Sequence, residues 1–283
     1  MKISVVIPTH RRSELLSRAI SSVTAQVRPA DEIIIVDDAD DSASRMVVEQ
    51  AAATGSVPIR YVRNTSSPGA CGSRNLGAFV STGDWVAFLD DDDDWTPDFL
   101  EQLARPASAG TPLVLSGLVR HEAGHAPVVR ASPEGLTAAT VLAHRSSMTG
   151  SNFLIRSDLF CAVRGFDPYM TVFNDWDLFI RLIKHGASYA VVPLPLAHWR
   201  EHPGERIATP SLRRADGLSR FLARHGCGLP HAMRRELRTT MLGIRRAHVD
   251  ARWRYLELSV ALALAHGPRE SLSRLRGRRA ALA

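Results

Sequence analysis

The chain has 283 residues, 45% of them hydrophobic and 23% charged, a balance that excludes a disordered protein and suits one large α/β domain or two packed halves. The formal net charge is +6, yet about sixteen arginines against five acids fall after Ser211, so the rest of the chain is acidic on balance. A nucleic-acid binder would place its basic surface on the part with the distinctive motifs, and here those motifs are acidic.

Ile3–Ile7 is a short β-rich run cut by Pro8, too brief for the apolar core of a signal peptide. The spacing of Leu15, Ala19, Ile20 and Val23 predicts an amphipathic helix that Ser13 can cap. A second strand is expected over Glu32–Val36, a helix over Ala43–Ala53 and a strand over Ile59–Val62. Arg74–Phe79 reads as helix and Trp85–Leu89 as a buried strand running into Asp90. This alternation predicts a mostly parallel, Rossmann-like sheet flanked by helices, with ligands bound beyond the carboxyl ends of its strands. From Pro106 to Pro133 the chain is punctuated by Gly, Pro and Ala around one apolar run, Leu113–Val119. A helix over Asp175–His185, a strand over Tyr189–Val192 and a loop over His198–Gly204 follow.

After Thr209 the composition turns to Arg-rich amphipathic helix. That segment is expected either to cover the catalytic domain or to lie on an anionic membrane surface. No run approaches the ~18–20 apolar residues of a membrane span. Cys71, Cys161 and Cys227 are odd in number and without metal-ligand spacing, so they read as free thiols. The expected location is cytoplasmic, possible peripheral contact with the inner membrane face being left to the C-terminal segment.

Three acidic clusters carry the chemistry. Asp90 to Asp94 form a like-charge run at a strand end, which calls for a hard cation such as Mg²⁺ or Mn²⁺, or else for full solvation as an acidic turn or helix start. An EF-hand is rejected, because Trp95 stands where that loop needs glycine and a strand precedes it. Asp37 and Asp38 end the second strand, where a carboxylate can accept from a base or ribose or serve as an ordinary polar turn. Asn174-Asp175-Trp176-Asp177 opens a helix, where an aspartate is either a general base or a cap.

Together, in this order, the clusters resemble the family 2 glycosyltransferases, which have a GT-A fold. Ser4-Val5-Val6-Ile7-Pro8-Thr9 resembles that family's first strand, and Ile34-Ile35-Val36-Asp37-Asp38 its base-contacting strand end. Ser67 to Gly77 is similar to its G-x-x-x-A-R-N-x-G segment, with Ser73 where Ala is usual. Phe88 to Trp95 matches its DXD region, Phe173 to Leu178 the segment usually written E-D, and His198 to Gly204 the aromatic-Arg-x-His ending. Two departures stand out: His10-Arg11-Arg12 replaces aromatic-Asn, and Asn174 replaces Glu.

The resemblance implies an inverting transfer from a nucleotide diphosphate sugar, probed first as UDP, to an acceptor hydroxyl on a polysaccharide, a lipid-linked glycan or a small molecule. It assigns Thr9, Asp38, Arg74, Asp90 and Asp91 to the nucleotide, Asp92 and His202 to Mn²⁺ or Mg²⁺, and Asp175 to catalysis. Residues 1–110 are expected to form the nucleotide-sugar half of the domain, 111–209 its acceptor and catalytic half, and 210–283 a helical extension. Rival readings are a nucleotidyltransferase, which would want a glycine-rich loop after the first strand, and a non-catalytic sugar- or membrane-binding module.

Overall fold

The computed structural model describes residues 1–144, 148–201, 209–250 and 252–266. Strand β1 (Ile3–Thr9) is buried throughout, as is β2 (Glu32–Asp37). Such continuous apolar runs belong to parallel strands covered on both faces. Helix α1 (Ser13–Thr24) connects them and buries Leu16, Ala19, Ile20 and Val23. Leu16 thus takes the place expected for Leu15, and the residue preceding the helix is Arg12, with no cap from Ser13. Helix α2 (Ser42–Thr54) is capped by Asp41, which accepts from Ser44 N–H at 3.1 Å, and leads to β3 (Ile59–Arg63).

Helix α3 (Ala70–Val80) then crosses to β4 (Trp85–Phe88). It can lie close to the sheet because Gly77 has no side chain: a Cβ there would collide with Val6 and stand 3.1 Å from Val36 Cγ2. Strands β1, β2, β3 and β4 pair in parallel, in the order β3-β2-β1-β4. Their carboxyl ends therefore point one way, and the order reverses between β1 and β4. That crevice is the binding position of open α/β sheets.

The second half of the sheet is mixed. Strand β5 (Asp94–Trp95) and helix α4 (Phe99–Ser108) precede β6 (Leu113–His121) and β7 (Val128–Arg130). Strand β8 (Phe153–Arg156) enters antiparallel between β4 and β6. Helix α5 (Ser157–Ala162) and helix α6 (Asn174–Lys184) lead to β9 (Ala190–Arg200), which runs parallel to β6 and antiparallel to β5. His198 to Arg200 is therefore strand, not the loop expected, because β6 resumes pairing after an irregularity at Gly117 and carries it out to His121. Two apolar layers flank the sheet. Leu16, Ile20, Phe99 and Leu103 lie in one, and Phe88, Phe153, Phe160 and Phe166 form the other, with ring centroids 5.3–5.8 Å apart.

These elements belong to a unit made of Met1–Pro168 and Asn174–Pro203; a second unit holds Tyr169–Phe173 and Gly204–Ala283. In the second unit α7 (Leu212–His225) is capped by Ser211, which accepts from Arg214 N–H at 3.2 Å. It rests Phe221 on Phe173 and leads to α8 (His231–Ala247) and α9 (Arg252–His266). Along α9, Trp253, Tyr255, Leu256, Val260 and Leu264 are exposed. No described helix is long and apolar enough to cross a membrane. All three cysteines are free, Cys71 buried and the other two exposed.

Candidate active site

Beyond β4 the chain turns at Asp91 and Asp92, the turn closed by Asp93 N–H donating to the Asp90 carbonyl at 3.1 Å; it buries Asp91 and Asp93, while Asp90, Asp92 and Asp94 keep part of their surface open. Each inward carboxylate has its own donors. Thr9, at the end of β1, donates its hydroxyl to Asp91 Oδ2 at 2.9 Å. Ser151 donates to Asp93 Oδ2 at 2.6 Å, and Arg200 N–H to Asp93 Oδ1 at 3.0 Å. Ser151 also ties the strand end itself, its hydroxyl accepting from Asp90 N–H at 3.1 Å and its carbonyl from the Trp95 indole at 2.6 Å.

Arginines surround the run. Arg74 pairs with Asp90; Arg12 Nη1 lies 3.1 Å from Asp91 Oδ1 and 3.0 Å from Asp92 Oδ2; Arg200 pairs with Asp94; Arg18 donates to the Asp92 carbonyl at 2.6 Å. Despite these cations, burial and the neighbouring Asp92 charge push the Asp91 carboxyl up to about 6, and burial with the Asp92 and Asp90 charges raises Asp93 as well.

Asp90, Asp92 and Asp93 bring carboxylate oxygens within 4.8 Å of one another. Convergent hard oxygen donors of this kind fit Mg²⁺ or Mn²⁺. Asp92 is thus brought into a metal-competent group with Asp90 and with Asp93, which sequence reasoning did not single out. His202, the other expected ligand, lies outside the described residues.

Arg74 is buried with donors left open. It is 4% exposed, its Nη2 pairs with Asp90 and its charge sits 5.1 Å over the Phe166 ring, but its Nε and Nη1 have no hydrogen-bond partner among the described residues. An arginine has five N–H donors, and leaving them dry is costly, so these two nitrogens are open to a water or an anion. Gly150 makes room for it. A Cβ there would strike the Arg74 guanidinium and stand 2.7 Å from Asp90 Oδ2.

Asp175 opens α6 and accepts from Trp176 N–H at 2.8 Å. Burial pushes its carboxyl up to about 6; the Arg74 charge opposes the shift and the Asp90 charge adds to it. Asp177, by contrast, is fully buried inside the helix and paired with Arg181 at 2.8 Å, while Arg181 also donates to the Val163 carbonyl at 2.6 Å. Through Arg181, Asp177 therefore ties α6 to the end of α5.

Asp38 sits at the mouth of β2 and accepts from Gly69 N–H at 2.6 Å and Asn64 Nδ2 at 3.0 Å, fixing the loop that enters α3. Thr9 is 3% exposed with its hydroxyl given to Asp91, so it braces the acidic run and is not an open contact. Its neighbour Asp37 is wholly internal, accepting from Ala39 N–H, Asp41 N–H and the Tyr61 hydroxyl. A separate groove lined by Ser17, Ser21, Gln50 and Thr54 lies along the later turns of α1 and α2, at the opposite end of the sheet from the aspartates.

The model of glycosyl transferase family 2 matches residues 4–166, more than half of the chain. The chain belongs to that family. Among curated relatives, the putative colanic acid biosynthesis glycosyl transferase WcaA of Escherichia coli is 27% identical over 90% of this chain and 91% of its own length. An uncharacterized glycosyltransferase of Haemophilus influenzae is 28% identical over 64% of this chain, which spans only 62% of that relative. Of the solved structures, residues 1–349 of S. aureus TarS in complex with UDP-GlcNAc superpose with a TM-score of 0.65 at 16% identity, covering 94% of this chain and 77% of that one. The mannosyltransferase PcManGT of Pyrobaculum calidifontis, in complex with GDP-Man and Mn²⁺, gives a TM-score of 0.61 at 17% identity, covering 93% and 80%. At such identities the likeness establishes the fold, which is GT-A.

Proposed function

We propose that the chain is an inverting glycosyltransferase that moves a hexosyl or N-acetylhexosaminyl group from a uridine diphosphate sugar to an acceptor hydroxyl. The observation that carries this reading is the buried, half-unpartnered Arg74, paired with Asp90 at the carboxyl end of a parallel sheet. Arg74 would direct its open N–H groups to the diphosphate, where Arg matches phosphate geometry and offsets the charge that grows on the leaving group. Asp38, at the end of β2, would face the base and Asp90 the ribose, with Thr9 and Asp91 bracing that edge. Asp92, with Asp90 and Asp93 beside it, would hold Mn²⁺ or Mg²⁺, which when bound supplies charge neutralisation of the diphosphate. His202 remains a proposed contact to that same cation.

Asp175 would take the proton from the acceptor hydroxyl as its oxygen attacks the anomeric carbon. The carbon–oxygen bond to the diphosphate then breaks on the opposite face, so the configuration inverts. The mixed titration of the site suits this role: a carboxyl poised near 6 is a base at neutral pH yet still gains from accepting a proton. The expected result is metal-dependent release of UDP from a UDP-sugar, stopped by EDTA and restored by Mn²⁺. A screen of UDP- and GDP-sugars in which no nucleotide is released with any acceptor or with water would refute the reading.

The acceptor is proposed to lie at a membrane surface. The residues Trp253, Leu256, Val260 and Leu264 recur at three- and four-residue spacing, so they share one face of α9, and they are exposed. Arg254 packs over Trp253 at 5.2 Å and Arg246 over Tyr255 at 5.6 Å, which rims the stripe with positive charge suited to anionic lipid. Leu256→Glu with Val260→Glu should abolish co-sedimentation with phosphatidylglycerol vesicles and leave UDP release intact. Equal binding by wild type and variant would remove this part of the proposal.

A further inference from the structure

We propose that Arg12 is a built-in counter-ion of the acidic run, which a divalent cation and a nucleotide diphosphate must displace together, so that metal and donor load cooperatively. The proposal rests on the metal and nucleotide reading given above. Of the arginines around the run, Arg74 is buried and locked against Asp90, and Arg200 is held by two bonds to Asp94. Arg12 differs in exposure: its side chain is 32% exposed, and its Nη1 lies 3.1 Å from Asp91 Oδ1 and 3.0 Å from Asp92 Oδ2. It therefore neutralises the very carboxylate that converges with Asp90 and Asp93.

The backbone is bent to put it there. Arg11 adopts φ 54°, a left-handed conformation costly for a residue with a Cβ, and Arg12 follows directly as the residue before α1. This turn aims Arg12 across 79 and 80 residues of sequence at the acidic run. A cation arriving alone must compete with a guanidinium already in place, so its binding is weakened. When a diphosphate arrives with it, the displaced guanidinium finds phosphate oxygens within reach of its flexible stem and recovers the charge interaction it lost. By linkage the nucleotide then tightens metal binding by the same factor as the metal tightens nucleotide binding, and part of that factor belongs to Arg12.

The test is calorimetric titration of wild type, Arg12→Gln and Arg12→Lys with Mn²⁺ alone, and with Mn²⁺ in the presence of UDP or GDP, whichever wild type binds more tightly. Arg12→Gln should bind Mn²⁺ alone about tenfold more tightly than wild type, and the tightening produced by nucleotide should shrink by a similar factor. Arg12→Lys, which keeps the charge, should stay near wild type. If Arg12→Gln is too unstable to titrate, Mn²⁺ should raise its melting temperature by more than it raises that of wild type. Mn²⁺ affinity in Arg12→Gln equal to or weaker than wild type, or an equal rise in melting temperature, overturns the proposal while leaving the metal site standing. If neither wild type nor variant binds Mn²⁺ even with nucleotide present, the metal reading itself has failed and this proposal falls with it.

Discussion

Asp175→Asn should lower turnover by a factor of about 10²–10⁴, the usual cost of losing a positioned general base, with nucleotide and metal affinity within a few-fold of wild type. The substitution keeps the size of the side chain and its acceptor for Trp176 N–H, so α6 starts as before. What it removes is the proton acceptor. In wild type, kcat/KM should rise with pH up to about 6 and level off above it, because burial raises the Asp175 carboxyl to that value and only the ionised form accepts a proton. Below that pH the active fraction drops about tenfold per unit. The acid limb should be missing from the residual rate of Asp175→Asn. Asp177→Asn gives the contrasting result. It breaks the ion pair of a fully buried carboxylate with Arg181, and since Arg181 keeps some contact with water the cost should be about 2 kcal/mol, below the ~3–5 kcal/mol of a fully buried pair. Its melting temperature should fall while turnover at a permissive temperature stays within a few-fold. Normal turnover in Asp175→Asn together with a dead Asp177→Asn would show that the wrong carboxylate carries the chemistry.

How much of this was legible in the sequence varies with how local the cause is. Strands β1, β2 and β4 are buried on both faces, so their apolar runs stand out without reference to anything else, and their ends place Asp38 and Asp90 beyond the sheet. Strand β5 is two residues long and exists because Asp94 and Trp95 pair with His198 and Ala197, a partnership across more than a hundred residues that no window reveals. Helix α4 escaped for a different reason. Pro106 reads as a breaker, yet it sits near the end of the helix, in the last turn, where the chain is about to stop in any case.

The site shows the same division. The acidic run, Arg74 and Asp175 were legible as motifs, because their residue types and order carry a family resemblance. The parts that hold them were not. Ser151 meets Asp93 across 58 residues, and Arg12 meets Asp91 across 79. Nothing in the run itself singled out Asp93, because the chain turns at Asp91 and Asp92 and Asp93 N–H closes that turn on the Asp90 carbonyl. The turn divides the five aspartates into a partly open set, Asp90, Asp92 and Asp94, and a buried pair held by Thr9 and Ser151.

The account stands most directly on Asp92, whose carboxylate joins those of Asp90 and Asp93 within 4.8 Å. The measurement is calorimetric titration of UDP into wild type and Asp92→Ala, each with Mn²⁺ and with EDTA. Wild type should bind UDP at least tenfold more tightly with Mn²⁺ than with EDTA. Asp92→Ala should keep the fold, since the loss of one charge from a like-charge run relieves repulsion, and should bind UDP no more tightly with Mn²⁺ than without it. Unchanged, Mn²⁺-strengthened binding of UDP by Asp92→Ala would contradict the assignment of the acidic run as the metal and diphosphate site.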